Sequence, residues 1–420
     1  MKAVVFTLGC KVNDVESGSL IRGLETLGYE VSRYMEDDAE LYVINTCAVT
    51  AEAERKSRQT VGKAVKAGKN AKIIVCGCAS EKDPKQFFGK EENVFYVSGA
   101  KAKNRILELA QGGFAAEQSG ICVEQGESGY EEMLAPECLK TRNFVKIQDG
   151  CNRFCSYCII PYLRGRSRSR KLSSVVEEVL ASTAAETVLT GIDVSDYKDE
   201  DGNTLADVLL AVKDAKTRIR LGSLEVSLIT DRFLDAAKQV KSFAPQFHLS
   251  LQSGSNAVLK SMNRHYTREE YLEACRKIYE AFPNASVTTD IIAGFPTETE
   301  EDFLQSVKIV EEAGFLQVHA FPYSPREGTV AYKKYKELPA AIKKQRVECL
   351  LQKAQEVKRA YLERFVGKNL QIVAEYCRDG LWEGYSENYI RVYVQEDQGQ
   401  EPTNVRVLRL YKDGVLAERI

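Results

Sequence analysis

The sequence predicts an α/β protein in three parts: a small doubly wound parallel-sheet domain, a partial (β/α)6 barrel and a C-terminal OB-like β-barrel. Three observations carry this. Apolar strand-like runs alternate with helix-period stretches over residues 1 to about 100, and the same rhythm resumes from Asn143. After Gly367 it gives way to short β runs separated by turn residues. The expected boundaries are 1–110, a linker at 111–136, then 137–366 and 367–420.

In the first part, strands are expected at Lys2–Leu8, Leu41–Asn45, Lys72–Cys76 and near Phe95–Val97, with helices at Asp14–Leu27 and Ala51–Ala67. Gln111–Pro136 lacks a clear period and holds Gly112-Gly113 and an acidic stretch, so it reads as a linker with one short strand near Ile121–Val123. Six candidate strands follow: Phe144–Gln148, Thr187–Leu189, Arg218–Gly222, Phe247–Leu251, Val287–Ile292 and Leu316–Phe321. Helices are expected at Ser173–Ala184, Arg268–Phe282, Thr299–Ala313 and Lys343–Arg364. The last part offers β runs at Gln371–Tyr376, Tyr389–Val394 and Asn404–Leu410.

The 420 residues include 58 basic and 60 acidic side chains, a formal charge of −2. That balance excludes a disordered polyelectrolyte and a wholesale basic nucleic-acid binder, so any RNA site must be local. No uncharged apolar run approaches the 18 or more residues of a membrane span. Leu8-Gly9-Cys10 has too short an apolar run before it for a lipoprotein signal. The expectation is a cytoplasmic protein with no membrane partner. Twelve cysteines in such a chain point away from disulfides and toward metal or catalytic use.

Spacing sharpens that expectation. Cys151, Cys155 and Cys158 form C-x3-C-x2-C, a pattern that twelve cysteines in 420 residues produce by chance about once in a hundred such chains. A structural zinc site wants four ligands, and no histidine is near this loop in sequence. Three thiolates suit a [4Fe–4S] cluster whose fourth iron stays open. A zinc clip or plain buried thiols are the alternatives. Cys10, Cys47 and Cys78 each fall one or two residues beyond a different expected strand of the first domain. Parallel strands bring such ends to one edge, so these three thiols are expected to converge, as a second open cluster or as ordinary buried cysteines. Cys76, inside a strand, should face away. Cys76, Cys122, Cys138, Cys275, Cys349 and Cys377 read as ordinary thiols.

Small and polar residues collect at the expected strand ends: Thr190, Gly191, Ser223, Glu225, Gln252, Ser253, Asp290 and Gly294. In barrels the chemistry sits there, although turn chemistry alone accounts for each singly. His248 and His319 fall inside strands, as lumen packing or as ligands. The run from Leu163 to Lys171 carries Arg164, Arg166, Arg168 and Arg170 with no acid, a candidate phosphate contact or a solvated loop. The Lys343–Arg364 helix is a second basic candidate, and Trp382, Tyr385, Tyr389 and Tyr393 are candidate stacking faces.

The cysteine loop resembles that of the radical S-adenosylmethionine (SAM) enzymes. With Thr7-Leu8-Gly9-Cys10-Lys11-Val12-Asn13, Asn45-Thr46-Cys47 and Gly77-Cys78-Ala79, the chain resembles the radical SAM methylthiotransferases over essentially its whole length. The closest resemblance is to the MtaB-type tRNA subgroup. It implies two [4Fe–4S] clusters, one on Cys151, Cys155 and Cys158 that makes a 5′-deoxyadenosyl radical from SAM, and one on Cys10, Cys47 and Cys78 that presents sulfur. Tyr157 matches the aromatic position whose backbone meets adenine, and Asp290 through Gly294 the motif that packs against it. The implied product is a methylthio group on C2 of N6-threonylcarbamoyladenosine next to the tRNA anticodon. Implied partners are tRNA, SAM, an electron donor such as flavodoxin or ferredoxin, and a sulfur source. The C-terminal part resembles the family's tRNA-binding TRAM domain. Isopentenyladenosine tRNA, a ribosomal-protein aspartate, and a non-catalytic metal-stabilised RNA binder stay open as alternatives.

Overall fold

The computed structural model describes residues 1–89, 91–123, 129–136, 141–396, 399 and 401–420. Cys138 lies outside them. The described residues gather into two compact units. One comprises the described residues of 1–136, 148–170 and 326–329; the other comprises those of 141–147, 171–325 and 330–420. Among the described residues no helix is long and apolar enough to cross a membrane.

The first unit is built on one parallel sheet of β1 (Lys2–Thr7), β2 (Glu30–Ser32), β3 (Leu41–Thr46), β4 (Lys72–Gly77), β5 (Val94–Ser98) and β6 (Gly120–Cys122), in the order β2-β1-β3-β4-β5-β6. Its helices are α1 (Lys11–Thr26), α2 (Ala51–Ala67), α3 (Cys78–Lys82) and α4 (Asn104–Gln111). All six residues of β3 are buried, as a strand covered on both faces requires. Tyr42, Ile44 and Val75 pack with Val61 and Ala64 of α2 on one face. Val43, Ile74 and Cys76 pack with Leu20 and Leu24 of α1 and Ile106 and Leu109 of α4 on the other. The sheet is therefore doubly wound. The Thr50 side chain starts α2 by accepting from the Ala53 amide at 3.1 Å.

Next come β7 (Arg142–Lys146), in the second unit, and then β8 (Gln148–Asp149), α5 (Ile160–Arg164) and β9 (Arg168–Ser169), in the first. β8 and β9 pair antiparallel and clasp the cysteine loop at its base.

The second unit continues with α6 (Leu172–Ala181), β10 (Glu186–Thr190), α7 (Leu205–Ala211), β11 (Arg218–Leu221), β12 (Ser223–Leu224), α8 (Asp231–Gln239) and β13 (Gln246–Leu249). Then follow α9 (Asn256–Ser261), α10 (Arg268–Ala281), β14 (Ser286–Ala293), α11 (Glu300–Ala313) and β15 (Gln317–Pro322). The parallel sheets β11-β10-β7 and β12-β13-β14-β15 are separated only by Gly222, so they continue one another as a partial barrel. Capping boxes at Thr267 with Glu270 and Thr299 with Asp302 start α10 and α11. Gly314, left-handed at φ 62°, ends α11.

After α12 (Val330–Lys334) and α13 (Ala340–Glu363), five strands close a small barrel: β16 (Asn369–Arg378), β17 (Leu381–Ser386), β18 (Arg391–Val394), β19 (Thr403–Tyr411) and β20 (Gly414–Arg419). Buried Glu186 on β10 meets Arg142, Arg218 and Arg220 at 2.7–2.8 Å. Arg218 and Arg220 also donate to the carbonyls of Gln371 and Ser386, both at 3.1 Å. This cluster ties the partial barrel to the small one.

One surface expectation is corrected here and a second is narrowed to the outward-facing residues of its helix. Tyr385 and Tyr389 stack on each other at 4.5 Å, under the guanidinium of Arg142, and Tyr393 is buried, so these rings are spent on the protein rather than on bases. In α13, Lys343 is buried on the Tyr323 carbonyl and Glu337, and Arg346 on Glu298; neither is free for phosphate.

Candidate active site

The first cysteine set sits at the carboxyl ends of three neighbouring strands. β1, β3 and β4 run parallel in register, so Cys10, Cys47 and Cys78 leave the sheet along one edge. Cys10 caps α1 and is exposed, whereas Cys47 and Cys78 are buried. Gly9 has φ +105°, and a Cβ there would lie 2.8 Å from the Cys47 sulfur, so only glycine lets the strand end approach this closely. Asn13 fastens the edge by donating to the carbonyls of Leu8 at 2.7 Å and Thr46 at 3.1 Å.

Burial pushes the Cys47 thiol up to about 11, with Cys78 and Cys10 adding to the rise. Burial also raises Cys78, against the opposing pull of Arg164. Raised thiols at Cys47 and Cys78, with Cys10 beside them, are a donor set for a cation that displaces their protons. Cys76, expected to face away, lies in the packing of the opposite sheet face.

The second set lies in the loop between β8 and α5. Cys155 is buried, and Cys151 and Cys158 are half-buried. The Arg153 amide donates to the Cys151 sulfur at 3.4 Å. Gly150 has φ +72°, and a Cβ on it would stand 2.0 Å from the Arg166 carbonyl oxygen. The loop closes through the Cys151 amide on the Gly165 carbonyl at 3.1 Å, and the Gln148 side chain donates to the Gly150 carbonyl at 2.8 Å. Tyr157 is half-buried in this loop. Three sulfurs within eight residues, with a backbone amide turned to one of them, fit a [4Fe–4S] cluster with an open iron.

One group joins the two sets, and sequence reasoning assigned it elsewhere. Arg164 has no exposed surface. It donates to Glu16 at 2.9 Å, Asp149 at 3.0 Å and the Asn13 side-chain oxygen at 2.6 Å. Asn13 holds the first cysteine edge, and Asp149 accepts the Gly150 amide at 2.7 Å just before Cys151. Lys103 completes the cluster on Glu16 at 2.6 Å. The expectation that Arg164 meets phosphate is therefore corrected. Its sequence signal is its place directly after the run Ile159–Leu163.

At the strand ends of the partial barrel, Thr190 is buried, Gly191 half-buried and Ser223 exposed. Gln252 has φ +68° and bridges to β14, donating to the Asp290 carbonyl and accepting from the Ile292 amide, both at 2.9 Å. Gly294, at φ +71°, donates its amide to Glu298 at 2.6 Å, and a Cβ on it would meet Lys343 at 2.5 Å. Two of the expected cofactor contacts are engaged by protein groups. Glu225 is clamped by Arg264 at 2.6 Å. Ser253 has no exposed surface and accepts from the Ser255 amide at 3.3 Å, organising a turn.

Residues 145–310 match the model of the Radical SAM superfamily, and residues 2–99 that of Uncharacterized protein family UPF0004. The chain is 35% identical over 427 residues to the Threonylcarbamoyladenosine tRNA methylthiotransferase MtaB of Thermotoga maritima, covering 100% of this chain and 97% of that one. It is 33% identical to the protein of the same name from Bacillus subtilis, covering 97% and 94% of the two chains. The chain belongs to the radical SAM methylthiotransferase family. A third relative, the tRNA-2-methylthio-N(6)-dimethylallyladenosine synthase of Thermosipho africanus, is 39% identical over 91% of this chain and 90% of its own. Among solved structures, the radical SAM methyltransferase TsrM from Kitasatospora setae covers 91% of this chain and 80% of its own, with TM-score 0.56 and 14% identity. The radical SAM enzyme OxsB, with TM-score 0.52 and 11% identity, covers 84% of this chain and 57% of its own. These two share the fold. As a radical SAM methylthiotransferase, the chain is a transferase that uses SAM and [4Fe–4S] chemistry.

The arginine-rich run from Leu163 to Lys171 is mostly turned inward. Arg168 pairs with Asp149 at 3.0 Å, and Arg170 is buried against Glu132 at 2.9 Å. These two join Arg164 as corrections. Arg166 is exposed, its guanidinium over the Phe154 ring at 4.5 Å.

Proposed function

We propose that the chain transfers a methylthio group to C2 of N6-threonylcarbamoyladenosine next to the anticodon of tRNA. The observation that carries this reading is the pair of three-cysteine sets in one compact unit, both fastened to buried Arg164. Full-length identity to two relatives named for that nucleoside supports the choice of acceptor.

Cys151, Cys155 and Cys158 hold one [4Fe–4S] cluster, and Cys10, Cys47 and Cys78 hold the second. When bound, the clusters supply one-electron cleavage of SAM at the first site and a sulfur to be methylated by a second SAM at the other, chemistry that an unactivated aromatic C–H demands. The chain's own groups do the rest. Gly9 lets the Leu8–Cys10 turn approach Cys47, and Asn13 holds the ends of β1 and β3 together. Arg164 supplies a permanent positive charge between the sites, and burial of Cys47, Cys78 and Cys155 excludes water from their sulfurs. Tyr157 and the Gly294 turn are assigned to SAM, and Arg166 to the RNA backbone. A flavodoxin- or ferredoxin-class donor and a separate sulfur source complete the cycle.

The relative from Thermosipho africanus favours a second reading, with dimethylallyladenosine as acceptor. Mass spectrometry of tRNA nucleosides from cells lacking the gene separates them. The expected result is loss of the methylthio form of threonylcarbamoyladenosine alone. Loss of the dimethylallyl counterpart instead establishes the second reading, and unchanged nucleosides overturn both.

A further inference from the structure

Three side chains on the partial barrel stand outside the sulfur chemistry. β13, β14 and β15 are adjacent parallel strands whose register pairs His248 with Thr288 and Asp290 with His319. Thr288 and Asp290 are two apart on one strand and so share a face, which places His248, Asp290 and His319 on that same face. One ligand atom from each of the three lies within 4.8 Å of the other two. The imidazole rings stand 6.0 Å apart.

We propose that His248, Asp290 and His319 bind a divalent transition-metal ion distinct from the iron–sulfur clusters. The spacing argues for it. His248 Nε2 and Asp290 Oδ2 are 3.4 Å apart, longer than the roughly 2.7–3.2 Å of a normal N–H···O hydrogen bond. With metal–ligand bonds of about 2.0–2.1 Å, the edge of a tetrahedron is about 3.3–3.4 Å. The separation is thus that of two ligands sharing an ion.

The surroundings of His248 fit the same role. Arg220 donates to the Gln246 side-chain oxygen at 3.5 Å, which orients the amide so that its nitrogen donates to Thr288 Oγ1 at 3.0 Å. The Thr288 hydroxyl lies 3.1 Å from His248 Nδ1 and hydrogen-bonds to it, which fixes the ring. With Nδ1 engaged by Thr288, Nε2 is the ring nitrogen left beside Asp290 Oδ2, and a cation bound there would select the tautomer with the proton on Nδ1. A ligating histidine whose other nitrogen is fixed by a polar partner is the usual arrangement. Two imidazoles and a carboxylate suit zinc, ferrous iron, cobalt or manganese, and three protein ligands leave positions open to water or an oxyanion.

The test uses protein reconstituted anaerobically, so that the six cluster cysteines are occupied, then dialysed against Zn²⁺ and analysed for zinc and iron. About one zinc per chain, retained without loss of iron, is expected. His248→Gln and His319→Gln should each weaken zinc binding at least tenfold. The chain has three histidines, and His265→Gln, in an exposed loop, should bind as the parent does. Zinc K-edge absorption on the parent protein reads the ligands without any variant. A nitrogen/oxygen shell at about 2.0–2.1 Å with imidazole scattering supports the site, and a sulfur shell at about 2.3 Å overturns it. Failure to retain zinc, or equal retention by all three variants, overturns it as well. None of these readouts depends on which nucleoside is modified.

Discussion

Arg164 shows how much one buried side chain is asked to do. Its partners Glu16 and Asp149 are both buried carboxylates, and its third partner, Asn13, positions the edge that carries Cys10 and Cys47. Arg164→Gln leaves the two carboxylates with less counter-charge inside the protein, and removal of one member of such a pair costs about 3–5 kcal/mol. Urea unfolding of parent and variant should show that loss, with Arg164→Lys intermediate because it keeps the charge and loses the fork. The cysteines separate by role in a second experiment. Cys151→Ala should abolish 5′-deoxyadenosine formation from SAM, whereas Cys47→Ala should leave it and stop methylthiolation; chromatography of both products from each variant checks this. The cysteines were legible in the sequence because strand ends and fixed spacing place them. Arg164 was not, because a basic residue in a basic run reads as surface, and its partners lie 148 and 151 residues away in Glu16 and Asn13.

At the scale of elements, the strength of β10 rests on Glu186. Burial alone would raise its carboxyl, but Arg220, Arg218 and Arg142 outweigh that and hold it well below the usual carboxylate range. A depressed folded value means that the stabilisation is complete above the unfolded pKa of about 4.3 and is lost as pH falls toward the folded one. Glu186→Gln should therefore cost about 3–5 kcal/mol at pH 7. It should also show a shallower further decline below about pH 4 than the parent. Urea midpoints measured in parallel across that range decide it, and parallel slopes would remove Glu186 from the acid response. Most strands and helices were readable from alternation and caps, with Ala51–Ala67 matching to the residue. α7 was not, because its sequence Leu205–Ala211 is apolar nearly all round and shows no amphipathic stripe. β17 carries its signal in the Asp379-Gly380 pair, whose positive φ at both positions makes the two-residue turn that joins hairpin strands.

For the whole molecule, the number of irons ties the sulfur chemistry together. Gln148–Arg170 belongs to the same compact unit as the N-terminal sheet, a grouping that linear order hides because its contacts reach back across the chain to Asn13 and Glu16. Both cysteine sets are thus carried by one body, yet each takes its thiols from its own backbone frame, three strand ends for one and a single loop for the other. Separate frames imply separate loading. Anaerobically reconstituted protein should contain about eight irons and about eight sulfides per chain. Replacing Cys10, Cys47 and Cys78 by Ala together should leave about four of each, with the SAM-cleaving cluster intact; replacing Cys151, Cys155 and Cys158 should leave the other four. Elemental analysis with electron paramagnetic resonance of the reduced variants reads both numbers. If either triple variant loses all its iron, the two sites assemble as one, and Arg164 would then be a structural link on which both depend.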